Sequence, residues 1–120
     1  MRRFIRSFSY ALKGIHFAVR YERNFQFEMI VGIVIILIML VLPLTGLERA
    51  FIIFSVMLVL ALELANTALE KVTDLIKPRI HPYARVVKDM MAGAVLLTSL
   101  AAIAVGIVIF LPYVLTFLHF

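Results

Sequence analysis

The stretch from Ala50 to Asp74, AFIIFSVMLVLALELANTALEKVTD, changes character halfway along. Residues 50–62 carry no charge, and then Glu63, Asn66, Glu70 and Asp74 follow in quick succession. At ~100° per residue, with Glu63 at 0°, Asn66 falls near 300°, Thr67 near 40°, Glu70 near 340° and Asp74 near 20°. The five side chains share one stripe about 100° wide. A charged side chain at mid-bilayer costs about 2.5–3.5 kcal/mol on insertion scales. Repeated carboxylates on one helix face therefore need a reason. Asn66 and Thr67 alone would serve as hydrogen-bonding glue between helices. Stacked carboxylates suit that role badly, because they repel unless protonated or paired. A cation or proton site explains them better. Mg²⁺ is bound through one or two carboxylates together with phosphate and water, so a Mg–nucleotide site at this end of the helix is chemically permitted.

The rest of the chain sets the frame. Of 120 residues, 64% are hydrophobic, well above the 45–50% of a soluble domain. The reading is a single all-α integral membrane unit spanning 1–120. With no cysteine, disulfides, thiolate metal sites and a cysteine nucleophile are excluded. The net charge of +5 fits anchoring at anionic lipid rather than nucleic-acid binding. No secretory leader pattern is expected, since the first long apolar run starts near Phe27.

Residues 1–24 read as an interfacial helix. Phe4, Phe8, Ala11, Leu12, Ile15 and Val19 recur at helical spacing, and Arg2, Arg3, Arg6, Lys13, Arg20 and Arg23 form the polar side. Residues 27–47 predict span one, ended by Pro43, Thr45 and Gly46. Residues 49–76 predict span two with a cytoplasmic extension. Residues 77–88, with Pro78 and Pro82, predict a cytoplasmic loop, and 89–118 a third span stopped near Pro112. Six cations lie in the N-terminal segment, and Lys77, Arg79, Arg85 and Lys88 in the second loop. The first loop holds only Arg49, beside Glu48. The N-terminus and second loop are expected to face the cytoplasm.

That orientation brings more carboxylates to one membrane level. Glu22 and Glu28 lie in YERNFQFE, where the surface helix meets span one, and Asp89 follows Lys88. Glu28 reads equally well as a solvated helix start, and Asp89 as a helix cap. The usual nucleotide signatures, GxxxxGK[ST], GxGxxG, HRD and DFG, are absent. Phosphoryl transfer here would need its own set of metal, phosphate-binding cations and base. The small residues of Ala92-Gly93-Ala94 and Ala101-Ala102 suit close helix packing.

Glu63 to Asp74, ELANTALEKVTD, resembles the signature of the small bacterial diacylglycerol kinase family, Glu-x-x-Asn-[Ser/Thr]-Ala-x-Glu-x-x-x-Asp. RVVKDMMAGAVLL is similar to that family's second block, and Arg3, Tyr10, Lys13-Gly14 and Glu22 fall at matching intervals. The resemblance covers nearly the whole chain. It implies a surface helix, three spans and a homotrimer with active sites shared between subunits. It also implies a lipid kinase that uses Mg²⁺ and ATP. Glu63 would be the base, Asn66 would orient the acceptor or Glu63, and Glu22 and Glu70 would hold the metal. Arg3, Tyr10, Lys88 and Asp89 would contribute to nucleotide binding, with Arg79, Ile80 and His81 lining it. ERNFQF, LANTALE, DLI, HP and AGAVLL, and the lack of Trp, look like the Gram-positive branch, which acts chiefly on undecaprenol. Met90-Met91 departs from the smaller residues usual there, which bears on packing and acceptor shape. The alternatives are a diacylglycerol kinase and, from another class, a small proton-coupled transporter. Carboxylates crowded at one face count against the transporter. The expected location is a bacterial cell membrane.

Overall fold

The computed structural model describes residues 1–76 and 82–119. Among them the chain forms four helices and no strand: α1 (Arg2–Tyr21), α2 (Arg23–Val41), α3 (Gly46–Ile76) and α4 (Pro82–Leu118). The last three are each long and apolar enough to cross a membrane. The expected surface helix followed by three spans is therefore the observed order.

The boundaries differ from those expected, each for a local reason. α1 and α2 are separated by one residue, Glu22, whose backbone is extended at φ −107° and ψ 109°. Its N–H donates to Ala18 O at 3.0 Å and its carbonyl accepts from the Gln26 N–H at 3.0 Å. Gln26 Nε2 also donates to Val19 O at 2.9 Å, which occupies a carbonyl near the end of α1. Residues 23 and 24, expected to end the surface helix, and 25–26, expected to lie between the two elements, are thus the first turn of α2.

α2 stops at Val41 rather than continuing to residue 47. Pro43 disfavours helical backbone in the residue before it, and Leu42 is extended at φ −82° and ψ 147°. α3 opens with a reciprocal cap. The Glu48 N–H donates to Thr45 Oγ1 at 3.2 Å, and the Thr45 N–H to Glu48 Oε2 at 2.8 Å.

Of the expected loop over 77–88, residues 82–88 are instead helical, since α4 begins at Pro82, and 77–81 lie outside the described residues. A proline in the first turn loses no hydrogen bond, since that N–H has no helical partner in any case. Pro112 likewise does not end the third span, and α4 passes through it to Leu118. It removes one backbone donor, a loss that membrane helices tolerate, and the Thr116 hydroxyl donates to Pro112 O at 2.8 Å.

α3 lies at the centre, packed along α4 on one side and α2 on the other, with α1 touching α2 and α3. Gly32 brings α2 close to α3: a Cβ there would meet Val56 Cγ1 at 2.8 Å. Met39, Leu44, Ile52 and Ile109 form the buried apolar cluster at the end holding the α2–α3 connection. Most other large apolar side chains are exposed, as expected of surfaces that meet hydrocarbon or neighbouring helices.

Candidate active site

At ~1.5 Å per residue, Glu63 lies about 26 Å along α3 from its start at Gly46, near the far boundary of a hydrocarbon core ~30 Å thick. The 31-residue helix continues past that boundary. Here the interior of the protein becomes polar. Glu63 is only 3% exposed, and Asn66, Thr67 and Thr73 are buried with it. The stripe expected from helical geometry faces inward at Glu63, Asn66 and Thr67. Glu70 is half-buried at its edge, and Asp74, farther along, is exposed.

The elbow at Glu22 delivers a second set of groups. Asn24 and Asn66 approach the Glu63 carboxylate, and the charges of Glu22 and Glu70 act on it from nearby. Glu28, one and a half turns into α2, is also close enough for its charge to couple to Glu63. Two acceptor atoms in this region are buried without a hydrogen-bond partner, Asn66 Oδ1 and Glu28 Oε2. Both are suited to receive a hydrogen bond from an incoming hydroxyl or other donor. Glu28 also borders an apolar groove of about 600 Å³ that runs between α2 and α4 over α3, past Val31, Gly32, Val56 and Ile103. A charged chemical end and a greasy channel thus adjoin.

The carboxylates are partly balanced by lysines. Lys71 Nζ lies 2.8 Å from Glu22 Oε1, and Lys88 Nζ lies 3.2 Å from Asp74 Oδ1. The second pair gives Asp74 a defined partner and joins the end of α3 to the start of α4. Among the described residues no group of three or more His, Cys, Asp or Glu side chains is arranged to hold a metal ion. Glu22 and Glu70 both lie near Glu63, and a pair of carboxylates is the kind of donor set that Mg²⁺ takes beside phosphate and water.

The remaining expected site residues are less gathered. Arg3 and Tyr10 are exposed on α1, where Lys13 Nζ lies 5.7 Å from the Tyr10 ring centroid. Neither makes an ion pair or side-chain hydrogen bond to Glu22, Glu63 or Glu70 among the described residues. Asp89 is exposed in the first turns of α4. Arg79, Ile80 and His81 lie outside the described residues.

Two residues escaped the sequence reading. Lys71 falls about 80° from Glu63 on the helix, outside the carboxylate stripe. Asn24 sits beyond the break at Glu22, where the phase of α1 is lost and no periodic pattern predicts which way it faces. The signal the sequence does carry is Lys71 next to Glu70 and Asn24 two residues after Glu22.

The family model described as prokaryotic diacylglycerol kinase matches residues 9–110. An undecaprenol kinase of Bacillus subtilis (strain 168) is 37% identical over 93% of this chain and 91% of its own length. A diacylglycerol kinase of Synechocystis is 40% identical over 92% of this chain, which spans 63% of that longer protein. The Escherichia coli (strain K12) diacylglycerol kinase is 33% identical, over 84% of this chain and 83% of its own. A match of this extent, joined to three apolar helices and a carboxylate cluster at one end of α3, places the chain in the prokaryotic diacylglycerol kinase family of membrane lipid kinases.

Proposed function

We propose that the protein transfers the γ-phosphoryl group of ATP to the hydroxyl of undecaprenol, giving undecaprenyl phosphate at the cytoplasmic face of a bacterial membrane. The observation that carries this reading is Glu63. It is a nearly fully buried carboxylate at the point where an apolar span gives way to a cluster of acidic and amide side chains.

In this mechanism the lipid tail lies among the apolar helices and its hydroxyl reaches Glu63. Glu63 accepts the hydroxyl proton as the oxygen attacks the γ-phosphorus. The new O–P bond forms while the bond to the β-phosphate bridging oxygen breaks, and ADP leaves. Asn66 orients the hydroxyl or the Glu63 carboxylate. Glu22 and Glu70 would hold Mg²⁺, which when bound would neutralise charge on the nucleotide phosphates. Arg3, Tyr10, Lys88 and Asp89, together with Arg79, Ile80 and His81, contribute to nucleotide binding. A homotrimer sharing sites between subunits belongs to the same reading. The open space around Gly93, where a Cβ would meet nothing within 4 Å, leaves that face free for another helix.

Undecaprenol is favoured by the branch-like motifs and by the undecaprenol kinase among the relatives. Diacylglycerol is the second reading, favoured by the 40% identity to a protein of that name. The test is transfer of labelled phosphate from Mg–ATP to each alcohol, at matched mole fractions in detergent. Faster turnover of undecaprenol is expected. Turnover of diacylglycerol alone would reverse the assignment. Glu63→Gln is expected to abolish transfer to either alcohol while the protein stays folded, and normal activity in that variant would remove Glu63 as base.

A further inference from the structure

Lys71 has no part in the phosphoryl-transfer chemistry, yet it sits at the junction of three helices. Its ammonium lies 2.8 Å from Glu22 Oε1 and 6.0 Å from the Phe17 ring centroid. The charges of Glu70 and Asp74 also act on it. The lysine side chain is 57% exposed and that of Glu22 only 19%. A flexible cation therefore reaches from solvent onto a more enclosed carboxylate, at the one-residue elbow between the surface helix and the first span.

Glu22 is also one of the two carboxylates proposed to hold the divalent ion, and the inference rests on that reading. An ammonium 2.8 Å from a carboxylate oxygen and a divalent cation on the same carboxylate would repel each other strongly in a partly desolvated site. We propose that Lys71 is a stand-in cation. In the nucleotide-free protein it neutralises Glu22 and holds the elbow against α3. It yields that carboxylate when the metal–nucleotide arrives, and its long stem lets the ammonium turn to solvent. Lys71 is thus a positioning residue that sets how readily the site takes its metal. This also answers how carboxylates crowded at one membrane level coexist before substrate binds.

The test uses full-length protein in lipid nanodiscs, with Mn²⁺ and a non-hydrolysable ATP analogue as probe, read by electron paramagnetic resonance rather than turnover. Lys71→Gln is expected to bind Mn²⁺–nucleotide about two- to fivefold more tightly than the parent, the range allowed by loss of one partly exposed ion pair. Lys71→Arg is expected to keep the parent affinity. The thermal midpoint of Lys71→Gln should fall without ligand, and the deficit should close when Mn²⁺–nucleotide is added. A purely structural lysine would lower the midpoint equally in both states. Unchanged or weaker Mn²⁺ binding in Lys71→Gln, or tightening in Lys71→Arg as well, overturns the proposal. Glu22→Gln separates the metal role of Glu22 from the role of Lys71. If it abolishes Mn²⁺ binding while Lys71→Gln leaves the affinity unaltered, only the role of Lys71 fails. If Mn²⁺ binding survives Glu22→Gln, the metal role of Glu22 and the stand-in role of Lys71 fall together.

Discussion

Tyr113, near the end of α4, donates a hydrogen bond to Glu48 Oε2 at 2.8 Å, and the same oxygen accepts the Thr45 N–H that caps α3. One carboxylate oxygen thus closes the start of α3 and ties it to the far end of α4. The tie lies at the opposite end of the bundle from Glu63. Tyr113→Phe is expected to lower the thermal midpoint by a few degrees and to leave kinase turnover at lower temperature unchanged. Thermal unfolding in nanodiscs, run beside a phosphoryl-transfer assay, checks both halves.

The contact between α2 and α3 turns on Gly32. With Val56 Cγ1 only 2.8 Å from where a Cβ would stand, Gly32→Ala forces the helices apart or Val56 out of its rotamer. The expected cost is about 1–3 kcal/mol. Pairing it with Val56→Ala should recover much of the loss, because the two changes meet at one contact. A double variant no more stable than Gly32→Ala alone would show that the strain is relieved elsewhere.

Lys88 is shared between a structural partner and a proposed nucleotide role. Its pair with Asp74 joins side chains that are 41% and 63% exposed, so Asp74→Asn is expected to change stability by less than about 1 kcal/mol. If Asp74 steadies Lys88 for phosphate contact, the KM for ATP rises severalfold while kcat is nearly constant. Steady-state kinetics over a range of salt tests this, with the difference between variant and parent shrinking as screening increases.

Asn66 is buried with its Oδ1 unpartnered. If it orients the acceptor hydroxyl or Glu63, Asn66→Ala should lower kcat by about 10²-fold, within the range of a lost positioning contact, with the KM for ATP little affected. A rise in ATP KM at constant kcat would move Asn66 to the nucleotide side of the site.

Metal removal separates cofactor from fold. No group of three metal-ligating side chains is present among the described residues, so no described metal cage supports the helices. Excess EDTA is expected to stop phosphoryl transfer completely and leave the thermal midpoint of nucleotide-free protein within about 1 °C of its starting value.

Much of this architecture was legible before any coordinates. The uncharged run from Ala50 to Leu62 and the basic, amphipathic N-terminus announce a span and a surface helix through hydrophobic period and charge, which are local properties. The polar stripe was equally readable, because Glu63, Asn66 and Thr67 lie on one helix whose geometry is known. Proline misled the reading of ends. By composition Pro82 belongs to a loop and Pro112 ends a span, whereas the first begins α4 and the second is carried within it. A proline's effect depends on which backbone groups already lack partners, and composition does not reveal that.

The sequence by itself determined the number of spans, the surface helix and the one-sided face bearing Glu63, because each follows from the order of side chains along a regular helix. The tertiary structure decided the partners: Lys71 with Glu22, Lys88 with Asp74, Tyr113 with Glu48, and Val56 against Gly32. These pairings depend on how far one helix is rotated and shifted against another. That is set by packing across the whole bundle, by the single extended residue at Glu22 and by the close approach that Gly32 permits.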